Sequence, residues 1–431
     1  MEYALILLQC FLLVYMVKKL FKKNPFSFFL FAVAYHLVFL VLSLLITINS
    51  NLLVRDKLKI VDVEAFSLYT FMFTCCLCAF YYVRKKLRVE QFNYSALNDV
   101  PRVNRLFVYL LFWASGISIL AYGASTGFGS SMGDYEARYE QTRGLGALYL
   151  FMPFFVPYFF WKIWASAKTS AFWFYSASFV GFGLLVFLFT VGLRFYFLLS
   201  IVCVTLTMYH TGRIKFRTML ALICLFPFVV GGLAMMRYGY SENSSGFAFI
   251  PQLLLFLQGD IFPVDAFYNI YEHCSSAGGV VQCPGTILLE NQLLRMVPRV
   301  LWEEKPDIML SGSAYYTQFV VGSLRELTLS PTIFGEGILV SASSAGILIY
   351  YLAAISVLVA IDFGIFRYPT FAIVLSGFFP KVFDWHRGGF SLFLYWLITV
   401  FVVFCLFYAL SRLIDIGLRD SVSTIRNHSR R

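Results

Sequence analysis

Apolar residues in this chain come in long unbroken runs, separated by short polar or basic stretches, and the alternation recurs along its whole length. A run of about 20 apolar residues covers a hydrocarbon core of roughly 30 Å. The pattern therefore predicts membrane-crossing helices over residues 3–17, 26–48, 63–83, 106–124, 146–161, 171–189, 195–210, 219–236, 336–361, 370–383 and 391–410. Lys18, Lys19, Lys22 and Lys23 follow the first run instead of preceding it, and no small-residue cleavage site appears, so it reads as a retained span and not a signal peptide. The expectation is an all-α polytopic membrane protein with about 11 transmembrane helices. Residues 1–236 would hold eight of them, 237–335 one long loop, 336–410 the last three, and 411–431 a basic tail.

Composition strengthens that reading: 60% of residues are hydrophobic, with 49 Phe and 27 Tyr, against roughly 45–50% apolar usage in soluble domains. Charge adds an orientation. The loops beginning at residues 18, 84, 162, 210, 362 and 411 hold 21 of the 34 lysines and arginines and only 5 of the 23 acids. Lys and Arg collect on the cytoplasmic side, so the N-terminus is expected outside, in the periplasm, and the C-terminus in the cytoplasm. Topology and anionic lipid then account for the net charge of +11, with no need for nucleic acid as a partner.

Seven of the nine cysteines fall in predicted spans, where a thiol is a small apolar group. Cys274 and Cys283, in CSSAGGVVQC, fall in the long outer loop, and an oxidising compartment favours a disulfide there over two free thiols. That loop is the place to look for function, because long ordered loops on rigid scaffolds carry sites. FIPQLLLFLQGDIFPVDAFYNIYEHC and TILLENQLLRMVPRVLW have apolar residues at helical spacing, as expected of short helices at the membrane face. A second outer loop, 125–145, carries Arg138 and Arg143.

The chain has no GxxxxGK[ST] phosphate loop, no HExxH zinc site and no Asp-x-Asp pair to hold a metal against a nucleotide sugar. What it does place at membrane depth is positive charge. Arg194 sits between two apolar runs, Arg237 opens the long loop, and Lys381 and Arg387 bracket a tight outer turn in PKVFDWHRGGF. Snorkelling to lipid headgroups is the plain reading of any one of them. Four around one rim point to a polyanion site, because guanidinium forks bind phosphate oxygens bidentately. Asp260, Asp265, Glu336, Asp384 and His386 lie near predicted membrane boundaries and are candidate general bases, though a solvated or salt-bridged carboxylate is the commoner role for each. His36, His210 and His428 read as structural.

An ordered set of motifs over residues 190–390 resembles the Wzy-type polymerases of O-antigen and related surface glycans, and within them the enterobacterial common antigen (WzyE-like) polymerases. The carriers are VGLR ending at Arg194, RYG at Arg237, DIFPVD from Asp260 to Asp265, VPRVLWEEKP, SAYYTQF, LSPTIFGEG and finally Arg387. The first 190 residues match in topology alone. The chain departs from the common antigen polymerases at Arg387-Gly388-Gly389, where they have Arg-Glu-Gly, and many of them lack an acid where Glu336 stands, although broader Wzy relatives have Gly-Glu there. The resemblance implies a GT-C-type membrane glycosyltransferase that uses no cofactor and no metal. It would move a growing glycan from undecaprenyl diphosphate to the non-reducing end of a fresh lipid-linked repeat unit, at the periplasmic face of the inner membrane.

On that reading Arg194, Arg237 and Arg387 hold the diphosphate, and Arg299, Lys305, Arg138, Arg143 and Arg325 are further substrate contacts. Asp265 or Asp260 is the favoured base ahead of Glu336 and His386, and Trp302, Tyr315 and Tyr316 stack on sugar rings. A Wzz-type chain-length regulator and a Wzx-type flippase are the implied partners. An O-antigen ligase shares this topology and arginine chemistry. A flippase would need a cavity opening alternately to both sides, whereas the charges at membrane depth gather on one.

Overall fold

The structure is a computed structural model that describes residues 2–48, 63–87, 100–126, 146–189, 194–219, 221, 222, 225, 263–275, 283–294, 302, 304, 311–322, 329–341 and 343–428. Among the described residues it is helical, with no strand. Six helices there are long and apolar enough to cross a membrane: Tyr3–Phe21, Val63–Lys86, Val103–Ser125, Ala171–Leu188, Ser344–Arg367 and Phe390–Leu418; Phe28–Ser43 and Phe195–His210 are apolar but shorter. The chain divides into two compact units, residues 1–92, 223–364 and 379–396 in the first and 93–222, 365–378 and 397–431 in the second.

The first unit begins with α1 (Glu2–Phe21), α2 (Phe28–Ile48) and α3 (Val63–Lys86). Lys18 and Lys19 fall in the last turn of α1, where positive charge suits the exposed carbonyls of a helix end. Pro25 stops the chain continuing as helix, and Asn24 accepts the Phe26 amide at 3.0 Å to close the turn. Ser27 caps α2 by accepting the Leu30 amide at 3.1 Å. Asp362, near the end of α12 (Ser344–Arg367), accepts the amides of Phe28 at 2.8 Å and Phe29 at 3.2 Å, together with the Ser27 hydroxyl. Arg84, near the end of α3, completes the cluster by pairing with the same carboxylate. One buried acid thus ties three helix ends together.

Between α3 and α12 the unit carries α9 (Val264–Ser275), α10 (Ile287–Leu294), a helical turn at Gly312–Tyr315 that widens into a π-turn at Tyr316–Val320, and α11 (Thr332–Val340). The span expected over 336–361 is therefore two helices. α11 ends at Val340, and Ser341, with extended backbone at φ −146°, breaks the run before α12 begins. Gly335 and Gly337 let α11 lie close to its neighbours: a Cβ on Gly335 would meet Ile270 Cδ1 of α9 at 2.6 Å, and one on Gly337 would meet Tyr351 of α12 at 3.2 Å. The unit closes with α14 (Val382–Gly388) and the first residues of α15 (Phe390–His428).

The second unit holds α4 (Arg102–Thr126), α5 (Gly146–Phe151), α6 (Phe155–Ala165), α7 (Ala171–Phe189), α8 (Arg194–His210) and α13 (Pro369–Leu375), with the remainder of α15. Pro153, in a 3-10 turn between α5 and α6, breaks the span expected over 146–161, and Ser115 donates its hydroxyl to the Met152 carbonyl beside the break at 2.5 Å. Its core is aromatic, with Phe159 stacked on Phe179 at 5.5 Å between centroids. Residues 370–383, expected as one span, form α13, a 3-10 segment Ser376–Lys381 containing Pro380, and the start of α14. The expected span 219–236 lies largely outside the described residues. α15 runs 39 residues to His428, well past the expected end at 410, so the basic tail continues the last span as helix.

Candidate active site

The turn expected between the last two spans is the short helix α14, which carries Asp384, His386 and Arg387. Lys381 pairs with Asp384 three residues on, both side chains mostly buried. His386 is fully buried, and Arg387, half-buried, lays its guanidinium over the Phe383 ring at 5.5 Å. Gly389, at φ 92°, is the single residue between α14 and α15, a left-handed conformation that glycine adopts without steric cost.

Glu336 fixes this turn. Its carboxylate is completely buried and accepts the Ser391 amide at 3.1 Å, the Ser391 hydroxyl and the Tyr350 hydroxyl. Tyr350 in turn accepts the Phe390 amide at 3.2 Å, so two of the orphan amides at the start of α15 are satisfied by Glu336 and the tyrosine it holds. Space around the carboxylate is tight on two sides. A Cβ on Gly389 would collide with it, and one on Gly312 would come within 3.0 Å of Oε1. Thr332, at φ 63°, starts α11 in a backbone region costing a β-branched residue about 1–2 kcal/mol, while its hydroxyl accepts the Gly335 amide at 3.2 Å. Glu336, expected among the catalytic acids, is thus the clamp that holds the α14–α15 turn, with its oxygens already engaged by protein donors.

Beneath the turn lies an aromatic layer. His386 packs against Tyr35 at 4.6 Å, Phe39 at 5.0 Å and Phe334 at 5.3 Å between centroids. It also meets His36 of α2, with Nε2 of His386 3.4 Å from Nδ1 of His36. Tyr35 stands within electrostatic reach of Arg387 and Asp384.

The α9 region builds a second group. Asp265 is buried in the first turn of α9, where a negative charge faces the positive end of the helix. Asn269 donates to the Tyr316 hydroxyl at 3.2 Å, and the Tyr315 hydroxyl lies 3.5 Å from Nε2 of His273. Burial pushes the Tyr315 phenol up from its ordinary value. Tyr316, expected to stack on a sugar, is itself buried at 2% exposure. The open ring of this turn belongs to Phe319, 54% exposed and stacked on Tyr315 at 5.0 Å. Cys274 and Cys283 are joined as a disulfide with Cα atoms 5.8 Å apart. Trp302 is half-buried.

Arg194 is the first residue of α8, in the second unit, and its side chain lies outside the described residues. Asp260, Arg237, Arg299, Lys305, Arg138, Arg143 and Arg325 also lie outside them. The sequence contains two formal G-x-S-x-G patterns, Gly123 to Gly127 and Gly129 to Gly133, and the second lies outside the described residues. In the first, Ser125 is near the end of a helix, bonded back to the Ala121 carbonyl at 2.7 Å, and so is not the strand-to-helix elbow a serine nucleophile needs.

Sequence reasoning passed over Tyr350, Ser391, Asn269, His273 and Phe319, and read His36 as structural. Tyr350 and Ser391 sit inside or beside apolar runs, and the signal that could have found them is a hydroxyl on the helix that faces GEG. His36 was visible only as a polar residue within an apolar span.

No solved structure matches this chain. A protein-family model does, along residues 2–414: that of the WzyE protein, O-antigen assembly polymerase. With nearly its whole length covered, the chain belongs to the WzyE family of O-antigen assembly polymerases, membrane proteins that polymerise glycan repeat units.

Proposed function

We propose that the protein transfers a growing glycan from undecaprenyl diphosphate to the non-reducing-end hydroxyl of a new lipid-linked repeat unit, at the periplasmic face of the inner membrane. The observation that carries this reading is α14, which places a half-buried arginine directly after a buried histidine on one clamped turn. The leaving group is a diphosphate. A guanidinium held at its oxygens would stabilise the charge that develops as the glycosidic bond breaks, without a metal ion. Arg387 takes that role, with Arg194 and Arg237 as further anion contacts.

His386 is the favoured general base. Glu336 is fully engaged by protein donors, and Asp265 lies where a helix start stabilises its charge, whereas Nδ1 of His386 has no side-chain hydrogen-bond partner among the described residues. Tyr315 and Phe319 supply stacking faces for sugar rings. The uneven distribution of Lys and Arg supports an N-terminus in the periplasm and a C-terminus in the cytoplasm. About eleven spans of GT-C type, and partners of the Wzz and Wzx types, complete the reading.

Purified protein in liposomes, given lipid-linked repeat units, tests it. Polymer should form in the presence of EDTA and disappear on Arg387→Ala or Arg194→Ala at unchanged protein level. Polymerisation by the Arg387→Ala protein at the original rate would remove that arginine from the chemistry. In cells, a deletion strain should leave single repeats on the final carrier; long chains stranded on the lipid diphosphate would show a ligase instead.

A further inference from the structure

Four buried polar side chains from α1, α3, α2 and α14 stand in file in the first unit: Gln9, Thr74, His36 and His386, all with zero exposure. Gln9 Nε2 donates to the Ser67 carbonyl at 3.4 Å, which turns its amide oxygen toward Thr74. The Thr74 hydroxyl lies 3.1 Å from that oxygen and 2.9 Å from the Thr70 carbonyl, and Nε2 of His36 lies 3.2 Å from the same hydroxyl. Nδ1 of His36 then faces Nε2 of His386 at 3.4 Å.

Proton counting gives the file a direction. In the wiring that satisfies the amide oxygen of Gln9, the Thr74 hydroxyl gives its one proton to that oxygen and its own oxygen is left as an acceptor. Nε2 of His36 must then carry a proton to make its bond. A neutral imidazole carries only one, so Nδ1 of His36 is bare. Neutral is also the form that this apolar, aromatic layer admits, because an unpaired imidazolium there would cost far more than a hydrogen bond returns. With Nδ1 of His36 bare, Nε2 of His386 is the donor and Nδ1 of His386 is bare too. The opposite wiring would leave the amide oxygen of Gln9 without its donor.

We propose that His36 is a positioning residue which holds His386 in the tautomer with a bare Nδ1, and that this nitrogen takes the proton of the attacking sugar hydroxyl. The role rests on the polymerase reading above. In the step the O–H bond of the acceptor breaks and its proton joins Nδ1. The oxygen's electron pair forms the new bond to the anomeric carbon, and the bond from that carbon to the diphosphate breaks with its pair leaving on the diphosphate. His386, briefly an imidazolium that still donates to His36, then returns its proton to water. The arrangement follows the logic of a buried group that orients a catalytic histidine through the ring nitrogen it does not use.

Nitrogen-15 solid-state NMR of histidine-labelled full-length protein in bilayers reads the tautomer without any turnover, with the His36 and His386 signals assigned by their loss in His36→Phe and His386→Phe. The expected spectrum shows His386 protonated at Nε2 only and His36 at Nε2 only. In His36→Phe the His386 signal should split between tautomers, and kcat on lipid-linked repeat units should fall by about 10²–10⁴ with KM little changed. His36→Gln, whose carbonyl can accept from His386 while its amide donates to Thr74, should recover kcat to within about tenfold of the original. A wild-type His386 protonated at Nδ1 overturns the proposal, as does His36→Phe turning over at full kcat. Full activity in His386→Ala would instead remove the base from the polymerase reading, and the NMR tautomer would show whether the His36 pairing survives that loss.

Discussion

Two of the buried carboxylates of the first unit, Glu336 and Asp362, are used differently. Asp362 meets a cation, Arg84, and also takes two helix-start amides, so its charge is neutralised on the spot and three helix ends are locked together. Glu336 meets only neutral donors, the hydroxyls of Tyr350 and Ser391 and one amide, with glycine on the sides where a Cβ would not fit. Tyr350 and Asp362 lie on the same helix, twelve residues and roughly 18 Å apart. The difference teaches that a buried acid can serve the fold or the placement of one turn, and that its partners tell which: a salt bridge between helices for the first, a ring of amides and hydroxyls around a glycine turn for the second.

Substitutions should separate the two. The largest effect is expected from Asp362→Ala, which leaves Arg84 buried without its partner and should cost about 3–5 kcal/mol. Membrane-inserted protein should fall sharply on immunoblots, with polymer falling in proportion. Adding Arg84→Met should restore part of the level, because the Phe28 and Phe29 amides still lack their acceptor. Gly389→Ala comes next, at about 2–4 kcal/mol from a left-handed alanine and a Cβ pressed on Glu336. Thermal unfolding in detergent reads that loss, and polymer per molecule should drop further than the level of protein does. Glu336→Gln keeps the shape but turns an acceptor oxygen into a donor facing Ser391 or Tyr350, worth about 2 kcal/mol. It should shorten the glycan ladder at near-normal abundance, and an unchanged ladder would show that the clamp does not serve the turn. Tyr350→Phe, the mildest, deletes one hydroxyl for about 1 kcal/mol and should lower activity only slightly.

The helical scaffold was legible because a hydrocarbon-length apolar run has few other uses, and α1, α3, α4 and α7 begin and end within a few residues of where hydropathy puts them. Hydropathy averages over about twenty positions, so it could not see Ser341 dividing 336–361, although the cluster SASS is a visible break. Nor could it see Pro153 or the composite 370–388 segment, where local backbone chemistry overrides the average. At the site, arginine and histidine announced themselves as charge in a greasy chain. Their partners did not, since Glu336 meets Ser391 55 residues away and His36 meets His386 350 residues away. Spacing along the chain carries no trace of such pairings, and serine and tyrosine in apolar helices are common enough to pass unnoticed.

The Cys274–Cys283 bond also says something about time. It ties the last turn of α9, the helix that carries Asn269 and His273, to a residue nine positions on. In the proposed orientation those two thiols meet an oxidant only after the loop has crossed the membrane. The spans can therefore insert while the loop is still unfinished, and maturation of the enzyme passes from the insertion machinery to the oxidising enzymes of the next compartment. Cells lacking that oxidant should accumulate full-length, inserted protein whose Cys274 and Cys283 still react with a thiol label.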